Sequence, residues 1–292
     1  MRLSGAAWSF VGASLRESRD IYRALSIDTI DLLASPGLLL DSGRIIEDPE
    51  REAREVSVLQ SSIANLIFLF ASDFSQRALN HRDPQVRARN ARDFCAVAEF
   101  CRRSGIPSVT IVPGVEQEGW SHEKSLAVSA EALNELAAIA AARGVALFFE
   151  AHVTSVLESP QETLQFLQNN PQLKLTLDYS HFVFGGHSQE AIDVLASYAG
   201  HVHLRQAARG VLQARWDAGT IDFIRVVKKF ANLGYKGYLA LEYEHDTWMG
   251  NDRVDVMTET IKMRNVVLPI LQARHTTDLI SKGAKVGRPI GA

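Results

Sequence analysis

VALFFEAHVTSVLESPQETLQFLQNNPQLKLTLDYSH (residues 145–181) holds two short aliphatic runs, VALFFEAH (145–152) and LKLTLDYSH (173–181), with a segment of helical type between them. Runs so short and so uniformly apolar read as strands covered on both faces. In the intervening segment Ser159 caps a helix start, Pro160 occupies its first turn and Glu162 reaches back as the capping-box partner. Strand, helix and returning strand predict a parallel pair with a helical crossover.

The same unit extends outward in both directions. Six further runs read as strands: SGAAWSFVG (4–12), IDTIDLLAS (27–35), NLIFLFAS (65–72), SVTIVPG (108–114), HVHLRQA (201–207) and GYLALEYE (237–244). Helical patterns lie near 16–25, 50–63, 86–104, 121–143, 159–169, 188–199, 220–233 and 253–274, and the glycines of RSGIP, ARGV and NLGYKG each close one. Eight strands, each followed by a helix, predict an α/β fold of the (β/α)8 TIM-barrel type. An open doubly wound sheet is the competing arrangement, but the first strand is not followed by a glycine-rich nucleotide turn. A chain of 292 residues suits one barrel domain, expected over 1–275, with a loose tail over 276–292 ending in SKGAKVGRPIGA.

Composition narrows the function classes. A net charge of −3 gives no electrostatic reason to expect nucleic acid or an acidic membrane as partner. No apolar run approaches the roughly 18 residues of a membrane span, and the N-terminus lacks the pattern of a secretion signal, so a cytoplasmic protein is expected. Cys95 and Cys101 fall on well-separated faces of one helix and are expected as unpaired, buried hydrophobes.

The last four strands end in VALFFE, KLTLD, HVH and YLALE, so each apolar run stops at a metal-type ligand: Glu150, Asp178, His203 and Glu242. The intervals of 28, 25 and 39 residues are about one strand–helix unit each. The four side chains are therefore expected on adjacent strands at the C-terminal face, where such barrels keep their chemistry. Strand parity sets them opposite the aliphatic rows Leu147/Phe149, Leu175/Leu177 and Leu239/Leu241, and so toward the barrel interior. Three carboxylates converging out of water would repel one another, and a divalent cation removes that conflict. The donor set suits Mn2+ first, with Co2+, Mg2+, Zn2+ and Fe2+ admissible. Arg205 shares the inward side above the site as a candidate substrate-binding residue, and His201 lies deeper as a core histidine. Arg209, in the following loop, either descends over the pocket to bind substrate or stays exposed. Trp8, Phe10, Trp120 and Trp216 are candidates for shaping a pocket, since sugars present apolar C–H faces.

FFEAH, LTLDYSH, HVHLRQA and GYLALE, in this order and spacing, resemble the xylose isomerase-like TIM-barrel superfamily, in particular its ketose 3-epimerase, inosose dehydratase and hydroxypyruvate isomerase branch. The resemblance implies that Glu150, Asp178, His203 and Glu242 coordinate one metal ion, that His181 contacts substrate and that Arg209 is the substrate-binding arginine. The implied activity is a metal-dependent sugar isomerase or epimerase acting on a ketose or related polyol. Proton transfer would run through a metal-stabilised enediolate, with Glu150 and Glu242 as base and acid. Gln206 and Val156 stand where many relatives carry acids. The second departure keeps open a lyase of the same fold, either a keto-polyol dehydratase or a glycoside-cleaving subunit. A non-catalytic barrel binding a sugar or protein partner is the third reading. The additional zinc histidines of the endonuclease IV branch are not evident. A homo-oligomer, with barrel helices paired across a two-fold axis, is compatible with the pattern.

Overall fold

Eight parallel strands close on themselves in the computed structural model, which describes residues 1–283, with side chains to 273. They are β1 (Arg2–Ala6), β2 (Thr29–Ala34), β3 (Ser62–Phe68), β4 (Ser108–Ile111), β5 (Ala146–Glu150), β6 (Lys174–Asp178), β7 (Ala199–Leu204) and β8 (Tyr238–Leu241). Each pairs with the next, and β8 returns to β1 in the register Leu3↔Leu239 and Gly5↔Leu241, so the sheet has no free edge. The helices between them are α1 (Leu15–Ala24), α2 (Ser42–Glu47), α3 (Pro49–Ser57), α4 (Pro84–Ser104), α5 (His122–Ala141), α6 (Pro160–Asn169), α7 (Tyr179–Phe184), α8 (Gln189–Asp193), α9 (Phe223–Asn232) and α10 (Val256–Gly283). The protein is thus a single (β/α)8 barrel.

Sequence chemistry accounts for the helix ends. Ser14 and Glu17 form a reciprocal capping box at α1, while Asp83 and Ser159 cap α4 and α6 ahead of a proline in the first turn. Gly105 closes α4 at φ 67°, the left-handed conformation that glycine adopts without strain. The outward rows Leu147/Phe149, Leu175/Leu177 and Leu239/Leu241 are buried beneath the helices. The interior is more polar than its aliphatic shell: Ser108 Oγ donates to Asn65 Oδ1 (2.8 Å), Asn65 Nδ2 to Thr110 Oγ1 (2.9 Å), and the Thr110 and Thr176 hydroxyls hydrogen-bond to each other at 2.6 Å. Such a network is tolerable in a low-dielectric core because its members satisfy one another.

Several boundaries differ from the sequence expectation. The strand in run 4–12 is Arg2–Ala6, so Trp8 and Phe10 lie beyond its end. Run 65–72 contributes Ser62–Phe68. Residues 179–181 leave the strand for α7, because Asp178 accepts from the Ser180 N–H and caps a helix there. The 188–199 pattern divides into α8 and a 3-10 turn, Val194–Tyr198. The last helix continues through Pro269 to Gly283, past the expected boundary at 275, and the rest of the expected tail, 284–292, lies outside the described residues. Cys101 is buried, Cys95 half-buried, and both are free thiols. Among the described residues no helix is long and apolar enough to cross a membrane.

Two ladders skip a residue: β2/β3 between Ile30 and Leu32, and β6/β7 between Leu175 and Thr176, where Leu175 pairs with Ala199 but Thr176 with His201. Gly200 is the extra residue of the second bulge, and a Cβ there would lie 2.2 Å from the Phe148 ring. Gly200→Ala is expected to destabilise the fold by about 1–3 kcal/mol through overpacking. The loss should be smaller in a Phe148→Leu background, a coupling that urea unfolding of the four proteins in a double-mutant cycle will measure.

Candidate functional site

The C-terminal ends of β5 to β8 bring Glu150, Asp178, His203 and Glu242 together, with one ligand-type atom of each within 4.8 Å of all the others. All four are buried. Glu150 and Asp178 are the last residues of their strands, His203 is the next-to-last of β7, and Glu242 follows β8 directly. His203 Nδ1 lies 2.9 Å from Glu150 Oε1 and 3.0 Å from Glu242 Oε2. Asp178 is oriented by its own helix: its Oδ1 accepts the Ser180 N–H (2.8 Å) and its Oδ2 the Ser180 hydroxyl (2.7 Å). Arg205 Nη2 donates to the same Oδ2 at 3.0 Å.

The charges are interdependent. Burial pushes the Glu242 carboxyl upward, and the His203 and Arg205 charges only partly reverse it. The same burial acts on Glu150, but there His203 wins and the group sits below the ordinary carboxylate range. His203 itself resists burial because Glu242 and Glu150 hold it well above the usual imidazole range. Glu242 Oε2 is buried at ion-pair distance from His203 yet accepts no hydrogen bond, and His203 Nε2 also has no hydrogen-bond partner. Converging acids, one with an orphaned oxygen, plus an imidazole nitrogen pointed among them form a donor set that fits a borderline-hard divalent cation.

Above this cluster opens a cavity of about 790 Å3, into which Glu150, Glu242, Arg205, His181 and Trp8 all face. His181 reaches it from the first turn of α7; its Nδ1 accepts the Val153 N–H (3.3 Å), and burial holds its pKa well down, so the ring is neutral. Trp8 forms one wall, its Nε1 donating to Glu244 Oε1 at 3.1 Å. Arg205 is buried between Asp178 and Glu244, the latter at 3.6 Å.

Not every expected residue arrives. Arg209 is exposed and packs over Gly186, away from the cavity lining, because the Gly210 N–H donates to the Phe184 carbonyl (2.9 Å) and ties the loop to the end of α7. Trp120 lies at the foot of α5 with the Lys124 ammonium 4.2 Å from its ring centre and does not line the cavity. Phe10 packs on Tyr22 and Trp216 stacks on Phe223. Val156 is buried with its N–H on the Gly114 carbonyl, and Gln206 turns its amide to the Ile221 backbone, so neither departure faces the cavity. Conversely, the lining includes Glu244, His152, Phe74 and Trp248, which the strand-end pattern passes over. Glu244 and His152 were accessible to parity, each standing two residues beyond a strand-end acid. Burial pushes the Glu244 carboxyl up to about 8 despite the opposing charge of Arg205. Trp248, which opens the 3-10 turn Trp248–Arg253 beyond β8, has no such signal.

Residues 37–265 match the family model for the xylose isomerase-like TIM barrel. An inosose dehydratase of Clostridium perfringens is 28% identical over 153 residues, 44% of this chain and 51% of that protein. The rhizopine catabolism protein MocC of Rhizobium meliloti is 27% identical over 134 residues, 39% of this chain and 41% of that one. The chain therefore spans about half the length of the curated relatives it matches. Among solved structures, an L-ribulose 3-epimerase superposes with a TM-score of 0.70 at 20% identity, covering 96% of this chain and 98% of the other. The IOLI protein with a bound zinc atom gives 0.69 at 17% identity, covering 91% and 98%. These two share the fold. With the family pattern running from just past the second strand into the last helix, the chain belongs to the xylose isomerase-like TIM barrel family.

Proposed function

We propose that the chain is a divalent-metal-dependent isomerase or epimerase of an uncharged ketose or related polyol. The observation that carries this reading is the convergence of Glu150, Asp178, His203 and Glu242 at the floor of an open cavity, with Glu150 and Glu242 both reaching its surface. These four residues would hold the cation, Mn2+ in our reading, with Zn2+ the alternative given the zinc in the IOLI protein. When bound, the ion supplies Lewis-acid polarisation of a carbonyl and compensates negative charge developing on the substrate.

The remaining chemistry belongs to the chain. Glu150 and Glu242 both lie about His203 Nδ1 and both reach the cavity, so one can take a proton from the carbon next to the carbonyl and the other return one. Return from the opposite face epimerises that carbon; return to the neighbouring carbon isomerises the sugar. Trp8 and Trp248 offer apolar walls to C–H faces. Arg205 is the one arginine or lysine among the described lining residues, and Asp178 and Glu244 already engage it. With Asp73, Glu116 and Asp246 also at the rim, a phosphate or carboxylate would meet repulsion without a free cation, which favours a free polyol. A dehydratase outcome is the second reading, favoured by the inosose dehydratase relatives.

Chelator-stripped protein is expected to take up one Mn2+ per chain with a rise in thermal midpoint, equivalent to about 2.7 kcal/mol at a free ion concentration one hundred times Kd. An unmoved midpoint and no uptake would contradict the metal reading. Glu150→Gln is expected to lower turnover about 10^2–10^4-fold, read as deuterium entering free ketohexoses from D2O beside the carbonyl. Undiminished exchange in this variant would remove Glu150 from the chemistry, and loss of one water from an inosose without exchange would favour the dehydratase.

A further inference from the structure

We infer that Asp31, anchored by His201, is a positioning residue for the proposed cation site: it holds the His203 ring from beneath so that Nδ1 faces Glu150 and Glu242. This role rests on the metal reading above. His203 offers Nδ1 to the two glutamates, which leaves Nε2 directed the other way. That nitrogen is fully buried without a hydrogen-bond partner, and it lies 3.9 Å from Asp31 Oδ2. Asp31 is equally buried; its Oδ2 accepts His201 Nε2–H at 2.5 Å, while Oδ1 has no partner. A buried acceptor and a buried ring nitrogen, both unsatisfied, thus lie on neighbouring side chains.

An imidazole that ligates through Nδ1 carries its proton on Nε2, which makes that atom a donor in need of an acceptor. Asp31 is the carboxylate beside it, and a swing of about 1 Å brings the pair to hydrogen-bond distance. His201 fixes the carboxylate for this purpose, and its ring meets that of His203 edge-on, with centroids 5.2 Å apart and planes at 86°. The backbone is irregular beside both members. The β2/β3 ladder carries its extra residue on β3, opposite Asp31, and the β6/β7 ladder carries its own, Gly200, immediately before His201, distortions of the kind found near functional centres. A pair present only for stability would leave the buried His203 Nε2 without an acceptor. A carboxylate behind a ligating histidine fixes its orientation and typically changes metal affinity about 10–100-fold.

The test uses the full chain, chelator-stripped, with Mn2+ alone as the probe and the free-ion EPR signal as the readout. Asp31→Asn, nearly isosteric, is expected to weaken Mn2+ binding about 10–100-fold at unchanged stoichiometry, with a folded circular dichroism spectrum. His201→Gln, which leaves Asp31 in place but unanchored, is expected to give a smaller loss and covers the case in which Asp31→Asn does not fold. Co2+ loaded into the variants should show a shifted visible d–d spectrum. Wild-type affinity in both variants, even with reduced cation-free stability, overturns the inference in favour of a structural pair. Two Mn2+ ions on the wild type and one on Asp31→Asn would overturn it in favour of a second cation held by Asp31, His201 and His203. Absence of Mn2+ binding by the wild type brings down the metal reading itself, and this role with it.

Discussion

Mutual repulsion among Glu150, Asp178 and Glu242 is the constraint to which the upper half of the barrel answers. Closing eight strands forces their C-terminal ends toward one axis; β5 and β6 end in acids and β8 is followed directly by one. The surrounding side chains are arranged accordingly. Arg205, two residues beyond His203 and so on its side of β7, buries a guanidinium against Asp178, while the His203 imidazole stands between the two glutamates. The first turn of α7 supplies Asp178 with two further donors from Ser180. No acid in the cluster is balanced by a single partner, so removing one charge is felt by the rest.

Below that layer the interior solves a different problem. Alanine, threonine, asparagine and serine fill the axis where larger aliphatic side chains would otherwise pack, and the Ser108–Asn65–Thr110–Thr176 chain satisfies its own donors and acceptors. The Asp31–His201 hydrogen bond lies beside this network, with His201 in register with Thr176. A polar axis inside an aliphatic shell keeps the wall rigid through dispersion contacts while preserving hydrogen-bond direction at the floor of the cavity.

The residues legible in the sequence are those governed by short-range periodicity. Period-two alternation placed Glu150, Asp178, His203 and Glu242 on inward faces, and the unit length of the strand–helix repeat placed them at one end. Both are local regularities that survive folding unchanged. Positions that depend on how loops return were not legible. Arg209 is turned away by one backbone hydrogen bond to Phe184, and Trp120 by its place ahead of α5. The helix α7 is only six residues long and follows β6 without a break; the capping carboxylate of Asp178 is what marks the end of the strand. Asp31 left a usable trace, an acid inside the apolar run IDTIDLLAS, but its partner lies on β7. No local pattern connects the two.

The far wall of the cavity illustrates why family membership and substrate choice separate. Gln206 and Val156, the two departures from the family pattern, are absorbed into backbone contacts and do not touch the cavity, so they carry no direct weight in selecting substrate. The segment after β8 contributes Glu244, Asp246 and Trp248 to the cavity lining. Gln213 clamps the neck of this loop: its side-chain amide donates to the carbonyls of Glu244 (2.6 Å) and Asn251 (2.8 Å) and accepts the Glu244 N–H (2.7 Å). Between the clamped ends Met249 and Gly250 adopt φ of 54° and 74°, a reversal that lets Trp248 stack on His152 at 5.4 Å. A non-glycine residue in that conformation persists only when its surroundings determine it, and here a double-ended amide clamp and a ring stack do so. The cluster of four ligand-type groups is thus built by strand ends, whereas the aromatic and acidic segment after β8 is clamped by Gln213. Glu244, in this segment, lies 3.6 Å from the Arg205 guanidinium that also holds Asp178, so the wall and the base of the cavity are joined electrostatically.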